Sequence, residues 1–360
     1  MNMRVLHVIS EMGTGGAEAL VGEMVHRGPG FGWTSGVASG GGHRAEALGA
    51  QGVPLFTVPI ARRTAGGVLR AARLTRTAVR KFRPDVVIAH NVSASVSAKL
   101  AIIGQRVPLL TVFHGVAEAD YRTSARILRR TSDVVVAVAP VIAGRLRSAG
   151  LPRPKVIRNA VALPSEVDSR EAVRASLRLP AGVPVALCLA RLEPQKRHDV
   201  LLEAWAKVSG DAILLIAGDG SLREELLEHS ADLGLGDRVR FLGDRTDGPA
   251  LLAAADVTVL TSDWEGLPIA LLESLAAERP VVATDVDGVR EVLSAGGGLL
   301  VPPGEPDAVA QALRKMLDDP GERSCAAAAG LATIRREYHP DALMESYDEL
   351  LRSDLLGGRR

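Results

Sequence analysis

Apolar residues in this chain come in short runs, separated by polar or glycine-bearing segments and by longer stretches of helical spacing. In the first half, residues 4–10, 37–38, 55–58, 85–89, 107–113 and 132–139 read as strands. In the second half, 183–190, 212–217, 239–242, 257–261 and 280–284 do the same. Helical spacing is predicted for 17–26, 67–83, 198–207, 222–233, 251–255, 307–317 and 340–351, and residues 324–336 are alanine-rich. Strands alternating with helices predict βα units and doubly wound parallel sheets. No internal sequence repeat is visible, although both halves share the alternation. At 360 residues the expectation is two domains, each able to bury a core. The expected division is 1–164 and 165–338, with a linker beginning at 163–165. Residues 339–360 are expected to form a last helix crossing back to the first domain, with 357–360 frayed.

Composition narrows this picture. At 47% hydrophobic and 24% charged residues, the chain fits an ordinary soluble protein. No apolar run reaches the ~18 residues that a membrane-spanning helix needs. The opening segment 1–10 reads as a first strand rather than a signal peptide, so a cytoplasmic location is expected. Cys188 and Cys325 lie in apolar or alanine-rich runs, which predicts two buried thiols rather than a bridge or a metal site.

The net charge of +1 conceals an asymmetry: residues 1–164 hold 22 Lys and Arg against 8 Asp and Glu, the remainder 21 against 34. Such a split points to an anionic partner for one half. Its densest part is 62–83, with Arg62, Arg63, Arg70, Arg73, Arg76, Arg80, Lys81 and Arg83 and no acid. On a helix from Gly67, Arg70, Arg73, Arg76, Arg80 and Arg83 share one arc, opposite Val68, Ala71, Ala72, Thr75, Ala78, Val79 and Phe82. Two readings stay open: a solvated arginine face over a core-facing stripe, or an element that lies on an anionic membrane surface. Nucleic acid fits poorly, because no interleaved aromatics accompany the arginines.

The chemistry converges on residues 262–276, which follow a buried strand, turn tightly through Glu265-Gly266-Leu267-Pro268 and continue as a helix. Pro268 suits the first helical position. Free N–H groups at such a helix start favour an anion. Glu265 and Glu273 lie eight residues apart, one at the turn and one two turns into the helix. From there one carboxylate reaches a group over the helix start and the other a hydroxyl along its flank. A sugar joined through phosphates to a ribose presents both. Upstream, Arg191 and Lys196 bracket the loop after strand 183–190, where two cations suit a diphosphate. Gly15 and Gly16 sit in a strand–glycine turn–helix unit that lets backbone amides approach phosphate. It is not a G-x-G-x-x-G dinucleotide fingerprint, so no NAD is expected. His114, before Gly115, ends a strand where α/β sheets bind ligands. Asp285 and Asp287 invite a metal reading, but two acids without further ligands are a poor metal signal.

Taken together, the Gly15-Gly16-Ala17-Glu18 string, His114-Gly115, Arg191…Lys196 and E-x7-E resemble the large retaining glycosyltransferase family that uses nucleotide-sugar donors and has the GT-B fold. That family includes phosphatidylinositol mannosyltransferases and polysaccharide-assembly enzymes, and the resemblance runs from about Val5 to about Leu317. It implies two Rossmann-like domains facing each other across a cleft, the first binding acceptor and the second donor. It further implies hexosyl transfer from a nucleoside-diphosphate sugar to an acceptor hydroxyl, with retention at the anomeric carbon. Arg191 and Lys196 are implied to stabilise the leaving diphosphate with the helix start at Gly266, Leu267 and Pro268. Glu265 would hold donor-sugar hydroxyls and Glu273 the ribose. Gly218, Phe241 and Leu242 would lie along the donor, and His114, Gly15 and Gly16 would complete the cleft.

No carboxylate nucleophile is evident, which suggests a front-face route. No metal or other cofactor is expected. The departure is Asn159-Ala160, where the family has Asn-Gly, and Ala tolerates fewer backbone conformations. The expected acceptor is lipid-linked or otherwise anionic, in cell-envelope or polysaccharide assembly, with peripheral attachment to the inner membrane face through Arg70, Arg73, Arg76 and Arg80. A small soluble natural-product acceptor, or epimerase or hydrolase activity on a nucleotide sugar, are the alternatives.

Overall fold

The computed structural model describes residues 2–60, 64–164 and 169–356. Arg62, Arg63, Ser165 and the tail 357–360, expected to fray, lie outside them. The chain divides into two units, Met1–Asn159 with Pro340–Arg360, and Ala160–His339.

In the first unit, Met3–Val8 (β1), Trp33–Ser39 (β2), Leu55–Thr57 (β3), Val86–Ala89 (β4), Leu109–Phe113 (β5), Val134–Ala137 (β6) and Lys155–Val156 (β7) form one seven-stranded parallel sheet. The order is β3-β2-β1-β4-β5-β6-β7, so the winding reverses between β1 and β4. Helices Gly16–Arg27 (α1), His43–Ala50 (α2), Ala65–Phe82 (α3), Val92–Ile102 (α4), Tyr121–Thr131 (α5) and Pro140–Ser148 (α6) connect the strands. Strands β4 and β5 are buried along their whole length, which explains their unbroken apolar runs. Ala71, Ala78, Val79 and Phe82 of α3 pack with Leu6, Val8, Val87 and Ala98 on one side of the sheet; Ile9, Met12, Val21 and Val25 form the core of the other. Strand β7 at the sheet edge is only two residues long. Ala160 keeps a negative φ, so it carries no strain from replacing a glycine.

In the second unit, Val185–Leu189 (β8), Ile213–Ala217 (β9), Val239–Gly243 (β10), Val257–Leu260 (β11), Val281–Thr284 (β12) and Gly298–Val301 (β13) form a parallel sheet of order β10-β9-β8-β11-β12-β13. Here the winding reverses between β8 and β11. The helices are Arg170–Ser176 (α7), His198–Ala206 (α8), Arg223–Asp232 (α9), Gly248–Ala254 (α10), Ile269–Ala276 (α11), Asp287–Leu293 (α12), Pro306–Asp318 (α13) and Pro320–Glu337 (α14). Trp205, Leu201 and Leu313 centre the larger core cluster. Cys188 is buried in it. Cys325 is exposed, contrary to expectation, because α14 turns only a narrow face inward, at Gly330, Thr333 and Ile334.

The last helix, Pro340–Leu350 (α15), and the π-helical turn Leu351–Leu356 pack on the first unit. Arg27 pairs with Asp341 at 2.6 Å, Trp33 Nε1 donates to Asp348 at 2.8 Å, and Lys155 meets Asp354 at 2.8 Å. No described helix is long and apolar enough to cross a membrane.

Candidate functional site

The winding reversal between β8 and β11 marks where an open α/β sheet takes ligands, at the carboxyl ends of its strands. Two loops leave from that point. The first follows β8. Gly218, at the end of β9, passes directly beneath it: a Cβ there would lie 2.0 Å from the Ala190 carbonyl oxygen, and its φ of +146° suits glycine. Glu193 then binds Ser221 twice, accepting from its N–H at 3.1 Å and its Oγ at 2.9 Å. This fixes the path of the loop while leaving Arg191 exposed, with no ion pair among the described residues.

The loop is next stitched to the segment after β11. The Asp263 N–H donates to the Gln195 carbonyl at 2.9 Å, and Gln195 Nε2 donates to the Trp264 carbonyl at 2.7 Å. Thr261 Oγ1 lies 3.0 Å from the carbonyl oxygens of both Lys196 and Arg197. Arg197 adopts a left-handed φ of +50° and grips Asp199 at 2.9 Å and Asp263 at 3.0 Å, which holds its guanidinium firmly protonated.

This stitching brings two of the predicted site residues together. Lys196 Nζ lies 2.5 Å from Glu265 Oε1, with both side chains largely buried. Ser262 Oγ donates to the same Oε1 at 2.7 Å. Beneath the pair lies an uncharged layer: His198 Nε2 approaches Cys188 Sγ at 3.7 Å. Burial lowers the His198 pKa to about 4 and pushes the Cys188 thiol up to about 12.

The Glu265-Gly266 turn is seated on α12. A Cβ on Gly288 would lie 1.6 Å from the Gly266 carbonyl oxygen, so this contact admits only glycine. The Asp285–Gly288 stretch runs into the first turn of α12, and Asp285 is held by Arg290 at 2.5 and 2.7 Å. That fork to arginine keeps the Asp285 carboxyl below its ordinary pKa. Among the described residues no group of three or more His, Cys, Asp or Glu is arranged to hold a metal ion.

Pro268 is the residue before helix α11 rather than its first member, with ψ of 123°. The helix therefore starts one residue later than expected, and Glu273 lies about one turn in, half-buried. No side chain caps this start, and the N–H groups of Ile269 and Ala270 have no acceptor among the described residues. Leu267 is buried beside them. Phe241 and Leu242 lie half-buried at the end of β10, where the pairing with β9 shifts register.

The other predicted residues belong to the first unit. Gly15 is the N-cap of α1, and the Glu18 carboxylate folds back over it; a Cβ on Gly15 would lie 2.2 Å from Oε2. This helix start thus already faces an anion of its own. His114, just past β5, is half-buried, with Nε2 enclosed and unpartnered, and burial lowers its pKa to about 4. Beside it lie two fully buried histidines that the sequence pattern did not single out: His7 Nδ1 and His90 Nε2 are 3.1 Å apart at the β1–β4 reversal. Burial lowers His7 to about 3 and His90 well below its ordinary value, where His7 and His114 add to the effect.

Of the arginine arc, Arg70, Arg73 and Arg80 are exposed on α3. Arg76 departs from the arc and donates to the Ala101 and Ile103 carbonyls at 3.3 and 3.2 Å, closing the end of α4. A second basic face, Arg122, Arg126, Arg129 and Arg130, lies exposed on α5.

Comparison with known proteins gives this arrangement its family. Residues 169–331 match the model for "Glycosyl transferases group 1" and residues 14–163 that for "Glycosyltransferase Family 4". The lipopolysaccharide core biosynthesis glycosyltransferase LpsE of Rhizobium meliloti (strain 1021) is 34% identical over 236 residues, 65% of this chain and 68% of that protein. The GDP-mannose-dependent monoacylated alpha-(1-6)-phosphatidylinositol monomannoside mannosyltransferase of Corynebacterium glutamicum is 32% identical over 53% of each chain. Among solved structures, Anabaena Alr3699/HepE in complex with UDP and glucose superposes with a TM-score of 0.86 at 23% identity, covering 98% of this chain and 100% of that one. The chain belongs to the group 1 and family 4 glycosyltransferases and has their GT-B fold, built from two Rossmann-like domains.

Proposed function

We propose that this glycosyltransferase moves a hexosyl group from a nucleoside-diphosphate sugar to an acceptor hydroxyl, with retention at the anomeric carbon and without a metal ion. The observation that carries the reading is the Lys196–Glu265 pair at the winding reversal, beside a helix start whose N–H groups lack acceptors. Lys196, the exposed Arg191 and the N–H groups of Ile269 and Ala270 at that helix start, just past Gly266, Leu267 and Pro268, supply positive charge for the leaving diphosphate. Glu265 takes sugar hydroxyls and Glu273 the ribose. Gly218, Phe241 and Leu242 flank the nucleotide.

His114, neutral at physiological pH, contacts a substrate hydroxyl, and the Gly15-Gly16 turn meets substrate with Glu18 folded over Gly15. The route is front-face: the bond from the anomeric carbon to the diphosphate breaks, the bond to the acceptor oxygen forms on the same face, and the acceptor proton passes to the leaving phosphate. Metal independence is supported by the cations already at hand and by the engagement of Asp285 with Arg290.

The acceptor we propose is a lipid-linked or other anionic molecule of cell-envelope or polysaccharide assembly, met at the inner membrane face. The names of the lipopolysaccharide and phosphatidylinositol mannoside relatives support this, as does the exposed arginine face of α3 with Leu69 exposed beside it. In the test of the reaction, UDP-glucose or GDP-mannose is supplied in EDTA with a bacterial lipid extract, and the anomeric configuration of the product is read by NMR. Transfer with retained configuration is expected. A trapped covalent sugar–enzyme adduct would refute the front-face route, and free or epimerised sugar formed without acceptor would refute transfer. For the membrane part, the parent should sediment with phosphatidylglycerol vesicles and the triple variant R70Q/R73Q/R80Q should not; no sedimentation by the parent would end that part.

A further inference from the structure

The Glu265 carboxylate is held by one oxygen only. Oε1 receives both Lys196 Nζ and Ser262 Oγ, at 2.5 and 2.7 Å, while Oε2 has no hydrogen-bond partner among the described residues. A single bond to a flexible lysine would leave the carboxylate free to turn about its terminal torsion and exchange its two oxygens, because that torsion is broad and two-fold. A second donor on a rigid base removes this freedom.

Ser262 is such a base. It is the second residue past β11, it is 1% exposed, and its own carbonyl is pinned by Thr284 Oγ1 at 2.6 Å from the end of the neighbouring strand β12. Its hydroxyl makes no other bond to a described residue, so its one proton is committed to Glu265. The Gly266–Leu267 peptide that follows is packed independently, against Gly288.

We propose that Ser262 is a positioning residue that, with Lys196, locks Oε1 and so presents Oε2 to the hydroxyls of the donor sugar. The inference rests on the reading of Glu265 as a donor-sugar ligand. It assigns the sugar part of donor recognition to a hydroxyl that touches no substrate. The diphosphate and ribose parts do not depend on it.

The test is calorimetric binding of UDP against UDP-glucose, and of GDP against GDP-mannose, to the full chain and to S262A, S262C, S262T and E265Q. Kinetics with the same donors separate KM from kcat. In S262A, affinity for the sugar nucleotide should fall about tenfold, the scale of one hydrogen bond to a charged group. Affinity for the bare diphosphate should stay within about twofold of the parent, and S262T should recover most of the loss. S262C, close in size but a weak donor, should behave as S262A does and serves if the alanine variant does not fold. Equal loss of both ligands in S262A and S262C would overturn the positioning role, as would no loss while E265Q loses the sugar nucleotide. If the parent and E265Q bind each sugar nucleotide and its bare diphosphate alike, the reading of Glu265 itself fails, and the inference with it.

Discussion

The two units wind the same way and reverse at equivalent places, yet they furnish those places oppositely. At the β8–β11 reversal stand charges: Lys196 on Glu265, and Arg197 on Asp199 and Asp263, with the hydroxyls of Ser262 and Thr261 bracing them. At the β1–β4 reversal stand two neutral histidines, joined to each other, with His7 Nε2 and His90 Nδ1 enclosed and without partners. The topology therefore sets where a site lies, while the side chains set its chemistry. On the proposed function, the charged reversal is arranged for an anion and a polyol before either arrives, which would lower the cost of ordering them on binding. The neutral one stores an electrostatic liability that acid would release.

The comparison breaks most completely at the charged reversal. Glu265→Gln should lower transfer on the order of 10²–10³-fold, the scale of losing one preorganised electrostatic group, as followed by nucleotide release. It also leaves Lys196 without its counter-charge, so unfolding in denaturant should show a loss of up to about 3 kcal/mol. Gly288→Ala tests whether the seat under the turn matters. Its Cβ would sit 1.6 Å from the Gly266 oxygen, so the turn must move. We expect about 1–3 kcal/mol of destabilisation and roughly 10²-fold slower transfer. An unchanged rate would mean that the turn tolerates displacement.

The neutral reversal is sharpened by pH. The folded pKa of His7, about 3, lies below the unfolded value of 6.5, so on acidification the unfolded state takes up the proton first. Its contribution is fully present above about pH 6.5 and is lost as pH falls toward 3. At pH 5 this one residue removes about 2 kcal/mol. His90 acts in the same direction. Hydrogen exchange should therefore show β1 and β4 amides losing protection between pH 7 and pH 5, and His7→Gln should flatten that dependence.

The smallest effect is expected from Arg197→Gly. Glycine suits the left-handed φ of +50°, which offsets part of the loss of the half-exposed clamp to Asp199 and Asp263. Stability should stay within about 1 kcal/mol, and the donor KM should rise only a few-fold. A loss as large as that of Glu265→Gln would make the clamp, not the Lys196–Glu265 pair, the organising contact.

Much of this was legible in the chain. The strands around the site, 183–190, 212–217 and 257–261, contain β8, β9 and β11, because buried parallel strands are apolar throughout. Helix α4 was not legible: its buried Ala94, Ser95, Ser97, Ala98 and Ala101 are small residues without an amphipathic stripe. Lys196 and Glu265 stood out by residue type and spacing. Their contact did not, since they lie 69 positions apart and meet only when β8 and β11 become neighbours. Ser262, Gln195 and Gly288 were missed for the same reason. Their importance lies in what the fold places against them, and a hydroxyl three residues before Glu265 was the one local signal. His7 and His90 sit inside or just after apolar strands and read as core until the sheet pairs β1 with β4.

The proposed transfer requires a metal-independent nucleotide site in the Ala160–His339 unit. Thermal unfolding of the parent and of Glu273→Ala with UDP, GDP and ADP, each in EDTA, tests it most directly. One nucleotide should raise the midpoint selectively, the shift should survive EDTA, and it should weaken in Glu273→Ala. No shift with any of the three would contradict the account, as would a shift that appears only when a divalent metal is added.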